Sequence, residues 1–210
     1  AQAEDLVARI QKGDFRVIKI EKKQQKRTPP PPFITSSLQQ EASRKLGFSA
    51  KKTMQIAQKL YEGIDIDGET FGLITYMRTD GVNISADAVD AIRVQIKNSF
   101  GDKYLSNSPR MYKSKAKNAQ EAHEAIRPTE IGYTPLKIGK SLDKDQLKLY
   151  ELIWKRTMAC QMESVLIDMV GADIESSDKQ FIARANGSTI VFDGFYKIYS
   201  EGQDDDQEEK

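Results

Sequence analysis

The apolar pattern changes twice along the chain, and that change limits the fold more than any single motif does. Near the N-terminus "FRVIKI" sets Phe15, Val17 and Ile20 in rough alternation, as a strand requires. From about residue 37 to 162 the apolar residues recur at helical spacing instead. Beyond that, "VLIDMVGADI", "QFIARA" and "TIVFDGFYKIY" are rich in β-branched and aromatic residues, and "ANGS" between the last two is a hairpin signal. Strand-forming ends around a helical middle predict an α+β chain, with a mostly helical domain inserted into a β-rich domain built from both ends. The segments are 1–36 and 163–200 for the β-rich domain, 37–162 for the helical domain, and 201–210 for an acidic tail or linker.

Within this frame, Leu6, Val7 and Ile10 fit a first helix ahead of the strand, and "EKKQQKRTPPPP" reads as an extended, polyproline-type crossing. Ser37 and Gln40 have capping-box spacing before a stripe of Leu38, Ala42 and Leu46 that stops at Gly47. Ser49 caps the next helix, with Met54, Ala57, Leu60 and Tyr61 at helical spacing and Gly63 closing it. Ser85 begins a third helix, through Val89, Ile92, Ile96 and Phe100. A long helix from about Asp143 to Met162 carries Leu147, Ile153, Trp154 and Met158 on its core side.

Charge narrows the range of partners. The 210 residues have a formal net charge of +1, but the last ten hold six acids and one lysine, so residues 1–200 carry 31 basic against 25 acidic side chains. Such a body favours a polyanion weakly. The lone Cys160 excludes an internal disulfide framework and a cysteine-rich zinc site, and fits an intracellular setting. No apolar stretch reaches the roughly 18 residues of a membrane span, so no membrane partner is expected. The chain has neither a starting methionine nor a signal-peptide pattern, and is expected to be a piece of a longer protein.

The chemistry concentrates in "LITYMRTDG", residues 73–81. In an extended strand Tyr76, Arg78 and Asp80 point to one face, and Thr75, Met77 and Thr79 to the other. A free tyrosine hydroxyl, with a pKa of about 10, is a weak nucleophile near neutrality unless a cation stabilises its phenolate. Arg78 supplies that cation, and its planar fork suits phosphate oxygens. Asp80 either orients Arg78 or caps the turn at Gly81. Taken alone, a tyrosine on a strand is more often a packing residue with a satisfied hydroxyl.

The only histidine lies in "NAQEAHEAIRPTE", where His123 and Arg127 share a face if the stretch is helical, with Pro128 ending it. From Arg110 to Arg127 the chain also carries Lys113, Lys115 and Lys117 against Glu121 and Glu124, an electrostatic footprint for a nucleic-acid backbone or else a solvated lysine-rich loop. In "IDIDGET" the carboxylates of Asp65, Asp67 and Glu69 alternate, yet the turn-forming Asp67-Gly68 favours a surface hairpin over a metal site.

In this order, "PPFITSSLQQEASRKLGFSAKKTMQIAQKLYEG", "GLITYMRTDG", "QEAHEAIRPT" and "LYELIWKRTMACQM" closely resemble the central part of the bacterial topoisomerase I branch of the type IA DNA topoisomerases. The resemblance spans residues 1 to about 200. It implies that Tyr76 attacks one strand of single-stranded DNA to give a 5′-phosphotyrosine link, which is resealed after strand passage to relax negatively supercoiled DNA without ATP. It further implies that Arg78 holds the scissile phosphate and His123 contacts the DNA backbone, with Asp80 and Arg127 in supporting roles.

The architecture implied is a helical tyrosine-bearing domain joined to a β-rich arch within a toroidal enzyme, with hinges near Pro29 to Ser37 and near Met162. Magnesium, in this family, is held by an N-terminal domain that has no counterpart here. The chain is therefore expected to bind no metal itself, to work with the remaining domains of the enzyme near the nucleoid, and to cleave poorly alone. A tyrosine recombinase is the nearest other enzyme, but it usually places its tyrosine after the His-Arg elements and leaves a 3′ link. A non-catalytic module that binds single-stranded nucleic acid is the alternative of a different class.

Overall fold

A computed structural model describes residues 2–112 and 123–201. In chain order these form α1 (Gln2–Lys12), β1 (Phe15–Arg27), α2 (Thr35–Leu46), α3 (Ala50–Glu62), β2 (Ile64–Ile66), β3 (Glu69–Phe71), α4 (Ala86–Phe100), α5 (Pro135–Ile138), α6 (Lys144–Ala159), β4 (Val165–Ser176) and β5 (Ile182–Phe192), with short 3-10 turns at Asp102–Tyr104, Gly139–Ser141 and Gly194–Lys197. They separate into two compact units. Among the described residues, one is built from 2–27 and 165–193, the other from 28–112, 123–164 and 194–201.

The first unit is a three-stranded antiparallel sheet in the order β1-β4-β5. β1 pairs with β4 from Phe15↔Ser176 to Arg27↔Val165, with a register shift between Val17 and Lys19. The basic stretch "EKKQQKR" is therefore strand and not the start of the polyproline-type crossing expected from its composition; its partner β4 is long enough to satisfy its backbone. The "ANGS" turn signal is likewise overridden. Asn186 and Gly187 lie inside β5, opposite Gly171 and Val170, and the hairpin turns at 177–181 instead. There Ser176 Oγ accepts the Phe181 N–H and donates to Asp178 Oδ1, and Lys179 adopts φ 57°. Local side-chain hydrogen bonds of this kind compete well with an Asn-Gly pair.

In the second unit α6 packs against α2, α3, α4 and α5. Its Leu149, Tyr150, Ile153 and Met158 are fully buried with Leu38 and Ala42 of α2, Ala57 and Leu60 of α3 and Ile96 of α4. Each large apolar side chain so buried contributes roughly 1.5–3 kcal/mol. α6 is started by a capping box: Asp143 Oδ1 accepts the N–H groups of Asp145 and Gln146, and Gln146 Oε1 accepts the Asp143 N–H. Ser49 Oγ caps α3 by accepting the Lys52 N–H, as its sequence spacing predicts.

α2 begins three residues earlier than Ser37 as its cap suggests, at Thr35 with Ile34 in the cap position. Ser37 accepts the Ile34 N–H from inside the first turn, and does not act as the cap itself. Ser85 marks the start of α4 but makes no side-chain cap. The end of the expected strand "TIVFDGFYKIY" leaves the sheet at Gly194 (φ 45°), where a Cβ would lie 2.5 Å from the Ser164 carbonyl oxygen, and 194–199 fold into the helical unit. Phe195 and Tyr199 are buried there.

The last turn of that segment meets a buried polar cluster. Arg156 on α6 donates through Nε to the Pro31 carbonyl at 2.6 Å and through Nη1 to the Tyr199 hydroxyl at 2.8 Å, and Tyr199 donates to Glu41 Oε2 at 2.7 Å. The cluster ties the proline segment, α2, α6 and residues 194–201 together, and it uses three polar groups whose mutual satisfaction is what allows their burial.

Candidate active site and nucleic-acid interface

The tyrosine motif follows a small hairpin. Asp67 (φ 55°) and Gly68 (φ 90°) make the two-residue turn between β2 and β3, and Asp65 Oδ1 accepts the Gly68 N–H at 3.2 Å. "IDIDGET" is thus a hairpin, and among the described residues no three His, Cys, Asp or Glu side chains form a group that could hold a metal ion. The Leu73 N–H then donates to the Leu60 carbonyl, which fixes where the chain leaves α3.

Residues 73–81 do not form the regular strand that the sequence predicts; the backbone bends at Thr75, Met77 and Arg78. Only Ile74 makes a ladder bridge, to Pro128. Pro128 has no N–H to carry a ladder onward, and threonine side chains take over. The Thr75 N–H donates to the Arg127 carbonyl, and Thr75 Oγ1 accepts the Arg127 N–H and donates to the Ala125 carbonyl at 2.6 Å. Thr35 Oγ1 accepts the Thr79 N–H and donates to the Met77 carbonyl. Within this irregular segment Leu73, Ile74 and Met77 are buried, Thr75 and Tyr76 are half-buried, and Arg78 and Asp80 are exposed.

From His123 onward the described residues are not helical either. Ile126 bridges Phe33 and Pro128 bridges Ile74, so 125–129 run extended between the proline segment and the tyrosine motif, with the Ile126 N–H donating to the Phe33 carbonyl. Two extended neighbours satisfy this backbone better than a helix that Pro128 would interrupt. A close approach at Gly81 sets His123 in place, since a Cβ there would come within 2.5 Å of the His123 carbonyl oxygen.

The rings consequently meet. Tyr76 lies 5.0 Å from His123 between ring centroids, and Tyr61 of α3 stands edge-on to Tyr76 at 5.4 Å. The hydroxyls of Tyr61 and Tyr133 have no hydrogen-bond partner among the described residues, whereas three other tyrosines are committed. Tyr112 donates to the Cys160 carbonyl, Tyr150 to the Tyr133 carbonyl and Tyr199 to Glu41, and burial pushes all three hydroxyls above the ordinary tyrosine value. Tyr76 is held by its ring alone, with no hydrogen-bond partner for its hydroxyl among the described residues.

The other expected site residues divide. Arg78 is exposed and makes no ion pair among the described residues, and neither does Asp80. The turn cap foreseen for Asp80 is supplied by Thr79, whose Oγ1 accepts the Gly81 N–H at 3.0 Å. Arg127 is largely committed inside the protein: Nε donates to Glu124 at 2.7 Å and Nη1 to the Pro128 carbonyl. Arg110, from the same basic footprint, spans to the Met162 carbonyl and Ser164 Oγ. Lys113, Lys115 and Lys117 lie outside the described residues.

Tyr61 and the threonine clamps escaped the sequence reading. Tyr61 falls in the helical stripe of α3 and looks like core there, and nothing in the spacing of Thr35, Thr75 and Thr129 links them to the motif. Thr129 donates to the Gly72 carbonyl at 2.6 Å, closing the clamp at the motif's entry.

A helical unit inserted between the two halves of a sheet, with a tyrosine ring set against a histidine and a second tyrosine, agrees with a family match over the whole chain. Residues 1–210 fit the family described as DNA topoisomerase, and the chain belongs to that family, in its bacterial type IA form. It is 68% identical to DNA topoisomerase 1 of Rickettsia bellii over 100% of this chain and 26% of that protein, and 47% identical to DNA topoisomerase 1 of Xylella fastidiosa over 97% of this chain and 25% of that protein. The structure of full-length topoisomerase I from Thermotoga maritima superposes with a TM-score of 0.82 at 37% identity, covering 95% of this chain and 34% of that one. The chain thus spans about a quarter of the length of these curated relatives.

Proposed function

We propose that this chain supplies the strand-cleaving tyrosine of a type IA DNA topoisomerase. The observation that carries the reading is the Tyr76 hydroxyl, which lacks a protein partner among the described residues while its ring is fixed by His123 and Tyr61. A nucleophile needs that combination of a restrained position and an uncommitted oxygen. Tyr76 Oη attacks a phosphodiester of single-stranded DNA, the phenolic proton leaves, the P–O bond to the 3′ oxygen of the neighbouring nucleotide breaks, and a 5′-phosphotyrosine link remains. Attack by that 3′ hydroxyl reverses the step. The bond energy is retained throughout, so negatively supercoiled DNA is relaxed without ATP.

Arg78, two residues on and facing solvent, neutralises the phosphate on which charge develops, as a guanidinium fork does well. His123 contacts the strand beside Tyr76. Asp80 and Arg127 act in support, Arg127 by holding the 124–128 segment through Glu124 and the Pro128 carbonyl. The three lysines 113, 115 and 117 add phosphate affinity. The described residues present no cluster that fits magnesium, so no step is assigned to the ion in this chain; in the whole enzyme it belongs to the metal-binding domain. The remaining domains of the enzyme complete the site, and the setting is the bacterial cytoplasm, at the nucleoid.

The test mixes this chain with end-labelled single-stranded DNA, magnesium and a separately supplied metal-binding part. A denaturant-resistant adduct linked at the 5′ end, absent in Tyr76→Phe, is expected. If both parts are folded and associated and no adduct forms, the chain is a non-catalytic binding module and the reading is wrong.

A further inference from the structure

Within the helical unit, the end of α2, the middle of α6 and residues 196–200 enclose a pocket of about 320 Å³. Lys148, Leu152 and Lys155 recur at helical spacing and turn one face of α6 toward it. Lys45 enters from the last turn of α2, and Lys197 from the segment that follows the sheet. Tyr76, Arg78 and His123 take no part in its lining.

The pocket keeps a surplus of positive charge when its acids are counted at full value. The lining holds Lys45, Lys148, Lys155 and Lys197 against Glu151, which pairs with Lys155 at 2.6 Å. Glu41 lies 3.8 Å from Lys45 and 3.7 Å from Arg44, and Arg156 meets Glu201 at 3.1 Å. Six cations, the four lysines with Arg44 and Arg156, thus face the three carboxylates of Glu41, Glu151 and Glu201, an excess of three. Adding Asp145, which acts on Lys148, together with its partner Lys52 leaves that excess unchanged. Setting Lys197 aside still leaves two.

The chain carries a complement to this surplus next to it in sequence. At the rim Lys45 Nζ stands over the Tyr199 ring at 4.2 Å and donates to the Ser200 carbonyl, and Arg156 holds the Glu201 carboxylate. The sequence then continues as "GQDDDQEEK", residues 202–210, which lie outside the described residues and include Asp204, Asp205, Asp206, Glu208 and Glu209. Lys148 to Lys155 covers about 10 Å of α6 at 1.5 Å per residue, and the three residues from Glu201 to Asp204 reach about 10 Å when extended. We infer that the acidic run 204–209 docks in cis on the lysines of this pocket and occupies the basic face of α6 as a tethered polyanion. A tether this short gives an effective concentration in the millimolar range, so ion pairs that are individually weak suffice to hold it. The docked run keeps other polyanions off this face, and salt releases it. Tyr76 has no part in the contact, which forms whether or not the chain cleaves DNA.

The test places a nitroxide on Gln207→Cys in the 210-residue chain, where Cys160 is buried away from the reagent, and reads the loss of backbone amide signals by NMR. At about 10 mM salt, where the Debye length is about 30 Å, the signals of Lys148, Leu152, Lys155 and Ile198 are expected to disappear. Those of α4, which lines no part of the pocket, should persist. At about 1 M salt, with a Debye length of about 3 Å, the lost signals should return. Lys148→Gln/Lys155→Gln, or Asp204→Asn/Asp205→Asn/Asp206→Asn, should restore them at low salt too, with amide dispersion showing that both variants are folded. Losses spread evenly over the helical unit, or none at all, overturn the inference. So do losses that survive both charge variants, since the contact is then not electrostatic. Losses in an isotope-labelled chain mixed with a separate nitroxide-bearing one assign the pocket to a second copy and overturn docking in cis. Inorganic phosphate should shift the pocket amides more in the Asp204→Asn/Asp205→Asn/Asp206→Asn chain than in the wild type; equal shifts make the pocket a small-anion site and overturn the inference as well.

Discussion

The rings of Tyr76 and His123 lie 5.0 Å apart because the backbone at Gly81 passes against the His123 carbonyl. Two segments more than forty residues apart in sequence are thereby set in one place, and the tyrosine ring is bounded by imidazole on one side and by Tyr61 on another. Replacing the histidine leaves Tyr76 free to swing. His123→Ala should lower the rate of adduct formation by about 10- to 100-fold, the range in which small misplacements of a nucleophile act. His123→Phe restores a ring but no donor, so it should recover ring packing and leave affinity for single strands reduced. Full activity in both variants would remove His123 from the site.

The close approach makes its own prediction. In Gly81→Ala the added methyl must displace the His123 backbone, because the obstacle is a carbonyl oxygen and not the end of a flexible side chain. Urea unfolding should show a loss of about 1–3 kcal/mol, typical of overpacking. The adduct rate should fall with it. A variant that unfolds at the wild-type midpoint would show that the two segments are not packed in this way.

Much of this arrangement was legible beforehand, and its limits are instructive. The helices declared themselves through Ser49 as a cap, through the start of the last helix near Asp143 and through apolar stripes such as Val89, Ile92 and Ile96, because helical order is specified within a few residues. The separation of buried Met77 from exposed Arg78 and Asp80 was also visible, although the regular strand was not there. What a single pass along the chain could not see is pairing. β1 extends through "EKKQQKR" because β4 lies opposite, Asn186-Gly187 is drawn into β5 for the same reason, the Thr35 hydroxyl reaches the motif at Met77 from 42 residues away, and the Thr75 hydroxyl reaches out of it to Ala125, 50 residues on. Tyr61 beside Tyr76 belongs to the same class. Such contacts depend on partners that local spacing does not name.

The buried cluster around Arg156 should be among the costliest places to disturb. Arg156→Met keeps the bulk of the side chain but leaves the Pro31 carbonyl and the Tyr199 hydroxyl without their cation. Loss of charged hydrogen bonds in a site this dry is expected to destabilise the helical unit by about 3 kcal/mol. Tyr199→Phe should cost less, about 1–2 kcal/mol, because Glu41 keeps Arg44 and Lys45 nearby. Thermal unfolding of the two variants checks the order; a larger loss in Tyr199→Phe would contradict the placement of Arg156 at the centre.

The same burial predicts a specific weakness in alkali. Burial raises the hydroxyls of Tyr150 and Tyr199 above the ordinary tyrosine value and pushes the Cys160 thiol up to about 12. Since the folded pKa values exceed the unfolded ones, the folded chain keeps protons that the unfolded chain has already released. Stability from these groups is therefore complete below about pH 9 for the thiol and about pH 10 for the phenols, and is lost as pH rises toward the folded values. Each group removes up to about 1.4 kcal/mol per pH unit across its own window. Urea midpoints should thus be flat from about pH 7 to 9 and fall steeply from about pH 10 to 11, with tyrosinate absorbance rising in one step for exposed rings and in a second that coincides with unfolding. Cys160→Ala should make the decline begin nearer pH 10, since the thiol is the group whose unfolded value is lowest. A midpoint that holds constant through pH 11 would mean that these side chains ionise in place and are not buried in the way their hydrogen bonds to Tyr133, Glu41 and Thr157 describe.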